Sequence, residues 1–160
     1  MSYPLLRKYF FFFGGSLVFL GIFFALLLSE EVPLDRELPK AVFINDKPFS
    51  LEFAVTKEEK ALGLGERDSL CDTCAMLFVF ETPRRQGFWM KGMRFPLDIA
   101  WLLSDTVVHI EHNIPNDSVE VFLPSSRADS VLEVNADVLK DVKVGDKLDF
   151  LRPVPLSFKI

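Results

Sequence analysis

Hydrophobic positions follow two different rules along this chain. From Tyr9 to Ser29 no charged residue occurs, and Phe10 to Leu28 is almost wholly apolar. After Lys40 the apolar residues come in short runs, divided by Asn, Asp, Gly, Pro and charged residues. The first pattern predicts one long helix surrounded by lipid. The second predicts short strands and tight turns.

A helix over Phe10–Leu28 is about 28 Å long at 1.5 Å per residue, close to the hydrocarbon thickness of a bilayer. Phe10 to Phe13 leave no polar face, which argues against a core helix. Arg7 and Lys8 precede the run, and Glu30, Glu31 and Asp35 follow it. Positive charge stays on the cytoplasmic side, so the N-terminus is expected inside and the rest of the chain outside. The rival is a cleaved signal peptide. Signal cores are shorter, and Leu26-Leu27-Leu28-Ser29 lacks a small-x-small cleavage pattern. The organisation expected is a cytoplasmic stub and transmembrane anchor over 1–29, a linker over 30–39, an extracytoplasmic domain over 40–153 and a tail over 154–160.

Within the domain, Ala41–Ile44 and Phe49–Ala54 read as strands around the turn Asn45-Asp46-Lys47-Pro48. Thr56 and Glu59 have the spacing of a capping box, and Gly63 and Gly65 stop the helix they start. Met76–Phe80 is continuously apolar, the mark of a strand buried on both faces. Gln86–Lys91, Leu97–Leu103, Thr106–His112, Ser130–Asn135 and Lys147–Leu151 read as further strands. Ser104-Asp105 reads as a tight turn, Asn113–Ser130 as a long loop and Ala136–Val142 as a second short helix. The fold class expected is α+β and mostly β. It is a compact antiparallel sheet or a small, partly closed barrel with two short helices, preceded by one transmembrane helix.

Composition narrows the function classes. The chain is 49% hydrophobic and 26% charged, ordinary for a folded protein. Its formal net charge is −5 and it has no basic cluster, so no nucleic acid is expected as a partner. Two cysteines and two histidines are too few for a disulfide-rich scaffold.

Five segments occur in an order that carries a resemblance: Glu59 to Arg67 (EKALGLGER), Met76 to Phe80 (MLFVF), Phe88 to Lys91 (FWMK), Pro96 to Ile99 (PLDI) and Val131 to Ala136 (VLEVNA). Together they resemble the domain-of-unknown-function family 192, over about Ala41 to Leu151. The resemblance implies a small β-rich domain, often behind a signal or anchor, with no activity attached to it. The sequence departs from the family pattern at three places. Gly92 and Met93 stand where Asn-Thr is usual, and Ala75 and Asp137 each stand where Gly is usual.

The candidate chemistry begins with Cys71 and Cys74. A catalytic redox pair needs a helix N-terminus to lower the thiol pKa, but a strand pattern follows here. A zinc site would need His109 and His112, whose spacing in a strand sends them to opposite faces. The third reading, a structural disulfide, fits an oxidising exterior and is the one preferred. No metal and no cofactor are expected.

Charged residues inside apolar strands are the second candidate. Asp98 shares a strand face with Ala100 and Leu102, and Glu133 lies between Leu132 and Val134. Arg67 and Lys91 are the cations nearest in the strand reading. A buried carboxylate needs partners or it neutralises. One reading gathers Arg67, Lys91, Asp98 and Glu133 into a ligand cleft, with Trp89 as a sugar-stacking or peptide-binding surface. The other, preferred, makes the charged residues a structural ion-pair network, with Asp98 buried and held by Arg67 or Lys91. Phe88, Trp89, Met90 and Trp101 read as core, as aromatics at alternating strand positions usually are, and the stacking surface is the other reading of Trp89. Ser125-Ser126 has no His and acid at readable spacing.

The expectation from sequence is a non-catalytic binding or structural domain of the cell envelope. It would be held to the bilayer through residues 10–28 and face an envelope ligand or protein. The alternative is an extracytoplasmic enzyme using the Asp98 and Glu133 carboxylates.

Overall fold

The computed structural model describes residues 38–152. The expected membrane anchor and C-terminal tail lie outside them. Among the described residues, no helix is long and apolar enough to cross a membrane.

The described residues open with a hairpin. β1 (Ala41–Ile44) and β2 (Lys47–Ala54) pair antiparallel around Asn45 and Asp46, both at positive φ. This two-residue turn has the backbone that matches strand twist, and Asn and Asp tolerate it. The turn is tighter than the four residues expected, and Lys47 and Pro48 already belong to β2. The capping box then forms as read. Glu59 N–H donates to Thr56 Oγ1 at 3.2 Å, and Glu59 Oε2 accepts from Thr56 N–H at 2.9 Å. The helix it starts, α1 (Lys57–Leu62), ends at Gly63 with φ +53.

The crossover through α1 returns the chain to the sheet parallel to β2. β3 (Cys74–Arg84) pairs with it from Ser50↔Cys74 to Ala54↔Phe78. A parallel step needs a long connection, here the helix and the loop after it. The sheet, expected to be antiparallel, thus contains one parallel pair, β2 with β3. The remaining strands are β4 (Phe88–Trp89), β5 (Leu97–Leu103), β6 (Thr106–Ile114), β7 (Val121–Phe122), β8 (Ala128–Asn135) and β9 (Asp149–Leu151). Seven of the nine form one sheet in the order β6-β5-β8-β3-β2-β1-β9, and β4 and β7 form a separate ribbon.

The large sheet curls so that its two edges meet at one end. Thr106 of β6 bridges to Lys147, just before β9. Three backbone bonds reinforce the seam: Val107 N–H to Asp146 O (2.8 Å), Gly145 N–H to Val107 O (2.8 Å) and Leu148 N–H to Asp105 O (2.9 Å). The architecture of the described residues is therefore mostly β, a half-barrel with one short helix. The second expected helix is a run of turns, because Asp137 adopts φ +67 and breaks the helical path. The expected long loop contains β7, and the Gln86–Lys91 strand shortens to Phe88–Trp89.

Two cores lie on opposite sides of the sheet. One packs Ala75, Leu77, Ala100, Leu102, Leu132 and Val134 against the curled edge strands. The other packs Met76, Phe78, Ile99, Trp101 and Val131 beneath the loops and the β4–β7 ribbon. The central strands are thus covered on both faces, which explains why MLFVF shows no alternation.

A cleft over an unpartnered glutamate

Neighbouring residues on a strand point to opposite faces, and paired residues on adjacent strands share one. In β8, Glu133 pairs with Met76 of β3 and with Ile99 of β5. It therefore joins the second core, in the centre of the sheet, and only 5% of it is exposed. Its Oε2 has no hydrogen-bond partner. Burial pushes the pKa of this carboxyl from 4.5 to about 8. At neutral pH Glu133 is thus mostly an uncharged acid, able to donate as well as accept.

The space in front of Glu133 is a cleft of about 290 Å³. Its near wall is the end of α1. A Cβ added at Gly63 would sit 3.7 Å from Glu133 Oε2 and 3.1 Å from Phe78 Cζ. Gly63 therefore both ends the helix and leaves room beside the carboxyl. Phe78, Phe80, Phe88 and Trp89 supply aromatic walls. Phe88 meets Phe78 edge-on at 4.8 Å and Trp101 at 5.7 Å. Trp101 is fully buried, and its Nε1–H donates to Gln86 O at 2.8 Å, tying the ribbon down. Trp89, next along β4, leaves about half of its surface to solvent while still lining the cleft.

Lys57, Lys60 and Lys91 complete the lining. Lys60 Nζ lies 4.8 Å from the centre of the Phe80 ring. Partial burial lowers its pKa, and the nearby Glu81 carboxylate opposes that shift. The arrangement offers a neutral acid at the bottom, aromatic faces at the sides and ammonium groups at the mouth.

The structure brings Trp89, Lys91 and Glu133 together, but not Arg67 or Asp98. Asp98 pairs with Val134, so it points to the opposite face from Glu133. It is fully buried, as expected, but the expected cation is absent. Its two oxygens accept backbone N–H bonds instead, from Asn113 and from Leu139, each at 2.7 Å. Asn113 sits in the bulge of β6 opposite Asp98, and Leu139 in the turns that replace the second helix. Arg67 pairs with Glu52 at 2.9 Å, and this hydrogen bond raises its pKa. Lys91 is exposed at the cleft mouth. The expected four-residue ion-pair network is therefore replaced by one carboxylate bound to backbone and one left free. Asp98 and Glu133, expected to act together, therefore lie on opposite faces of the sheet.

Cys71 and Cys74 form a disulfide with a Cα–Cα distance of 5.1 Å. Asn135 Nδ2–H donates to Leu70 O and Cys71 O, both at 3.2 Å, and so ties this loop to the end of β8. His109 instead pairs with Glu111 at 3.0 Å and lies edge-on to Trp101. Among the described residues no group of three metal-ligating side chains comes together. Sequence reasoning missed Gly63, Lys57, Lys60, Phe78 and Phe80 as parts of one site. Gly63 was recognisable as a helix stop, but nothing local says which strand the stop faces.

The chain belongs to the DUF192 family, described as an uncharacterized ACR, whose model matches residues 40–150. Similar solved structures include the following two. A protein of Sinorhizobium meliloti, described as a candidate transcription regulator, is 28% identical with a TM-score of 0.63. The match covers 69% of this chain and 90% of that one. A protein of unknown function from Novosphingobium aromaticivorans is 32% identical with a TM-score of 0.62, covering 69% of this chain and 83% of that one. No curated protein matches.

Proposed function

We propose that this chain is a membrane-tethered, extracytoplasmic domain that binds a small ligand in the Glu133 cleft and does not transform it. The observation that carries the reading is the unpartnered Oε2 of Glu133 at the bottom of an aromatic-walled cleft. A buried polar atom without a partner destabilises the fold, so its natural role is to meet a group that arrives from outside. The tether rests on the apolar run Phe10–Leu28 with basic residues before it and acidic residues after it. The disulfide supports an oxidising compartment. A regulator of transcription finds no support in an acidic chain without a basic face.

An enzyme remains the second reading, favoured by one observation. A carboxyl with a pKa near neutrality, at a cleft, is suited to acid–base catalysis. It now rests on Glu133 alone, with no nucleophile beside it among the cleft residues.

The test is crystallographic. Crystals of the protein are soaked with a library of small fragments, and density over Glu133 is compared in parent and Gly63→Val. The expected result is fragments that contact Glu133 and Trp89 in the parent and are excluded by the valine side chain. Fragments that never enter the cleft of the parent would remove the binding reading. Turnover of a bound fragment would move the assignment to the enzyme.

A further inference from the structure

The cleft's charge is opposite to that of the molecule. The chain as a whole carries a formal net charge of −5, yet three of the four titratable side chains around the cleft are lysines. From this distribution we propose that the ligand is an amphiphilic anion. Its flat apolar body lies between Phe78, Phe88 and Trp89, its acidic group stays with Lys57, Lys60 and Lys91, and a hydrogen-bond acceptor at its inner end meets the Glu133 carboxyl. This deepens the binding reading above and rests on it.

Each part of the ligand answers to a part of the site. The aromatic walls are mainly apolar, and rings stack on them at little entropic cost. Lys60 is partly desolvated beside Phe80, so an anion that reaches it regains the solvation the ammonium has lost. Lys57 and Lys91 are exposed and act through longer-range attraction. A cation at the mouth would face three like charges, offset by the Glu81 and Glu59 carboxylates that act on Lys60.

The groups facing Glu133 fix how binding responds to pH. From β3 and β5 come Met76, Phe78 and Ile99, which do not titrate. From α1 come Lys57 and Lys60, and after β4 comes Lys91. The protonated Glu133 donates to the ligand's acceptor. Once ionised it has no proton to give and repels the anion. The binding site is therefore open at neutral pH and closes as the solution becomes alkaline, near pH 8.

The test uses the full chain in phosphatidylcholine nanodiscs, with methionine methyl groups labelled for NMR. Met93 lines the cleft and reports entry. The probes are 6-methoxynaphthalene-2-sulfonate, ionised at every pH used and carrying an ether acceptor opposite the sulfonate, and uncharged 6-methoxy-2-naphthalenemethanol. The expected result is a saturable shift of Met93 by the sulfonate at pH 6.5, with at least ten-fold weaker binding of the alcohol. Raising the pH to 9.0 should weaken sulfonate binding about ten-fold, the protonated fraction of a group titrating near pH 8. Glu133→Gln should remove that pH dependence, and the pair Lys60→Gln, Lys91→Gln should remove the preference for the sulfonate. Equal binding of the two probes would overturn the anion assignment while leaving the cleft a binding site. Sulfonate binding that ignores pH in the parent would overturn the role of Glu133. A Met93 signal unmoved by either probe would overturn the binding reading itself.

Discussion

Asp98 and Glu133 are two buried carboxyls on adjacent strands, a single register step apart on either side of one sheet. Asp98, fully buried, accepts two backbone N–H bonds and holds a bulge and a turn in place. Glu133, almost as buried, has an oxygen that nothing meets, and its pKa rises to about 8. Depth does not separate them. What separates them is whether the chain supplies donors at that point. On the Asp98 side irregular backbone is folded inward and its amides need acceptors. On the Glu133 side the neighbours are a cleft and apolar side chains.

The contrast is broken most severely at Asp98. Asp98→Asn keeps the shape but offers only one acceptor oxygen, and its amide group meets an N–H head-on. Two charge-assisted bonds at about 1.5–3 kcal/mol each are put at stake, so urea denaturation should show a loss of about 5 kcal/mol. An unchanged midpoint would mean the two amides are satisfied elsewhere.

Glu133→Gln should act in the other direction and only at higher pH. The folded state binds a proton that the unfolded state has released between pH 4.5 and about 8. Stability of the parent is therefore full at acid pH, falls as the pH rises through that window, and levels off above it. The variant has no such proton. From pH 5 to pH 9 the parent should lose about 4 kcal/mol relative to Glu133→Gln, read from paired denaturation curves. Parallel curves would place Glu133 in water.

The smallest effect is expected at Asp137, whose turn presents Leu139 N–H to Asp98. It holds φ +67 without being glycine. Asp137→Gly relieves that conformation and adds some unfolded-state freedom, for a net gain of about 0.5 kcal/mol in thermal denaturation. A loss would show that the aspartate side chain itself braces the turn.

Much of this difference was half visible in the sequence. The alternation within Leu97–Leu103 correctly puts Asp98 with Ala100 and Leu102, and the Ser130–Asn135 strand puts Glu133 between Leu132 and Val134. The capping box of Thr56 and Glu59, the Ser104-Asp105 turn and the strand at MLFVF were readable too, because each depends on residues close in sequence. The register between β5 and β8 was not, since neither strand alone says which residues it will pair with. The search for a cation beside Asp98 failed for a related reason. Its true partners are main-chain amides of Asn113 and Leu139, and an amide carries no signature in the side-chain sequence. The cleft depends on α1, β3, β4 and β8 meeting, so Gly63, Phe78 and Glu133 read as a helix stop, a core residue and a misplaced charge.

The seam of the half-barrel sets an order of events for the chain. β1 is among the first strands made, yet one of its two neighbours is β9, and the start of β6 waits for Lys147. Until that C-terminal segment is present, two strand edges stay raw and able to pair with another copy. The C-terminal segment is thus a clasp: a chain cut short before Gly145 would keep most of its hydrophobic residues and lose its protection against neighbours.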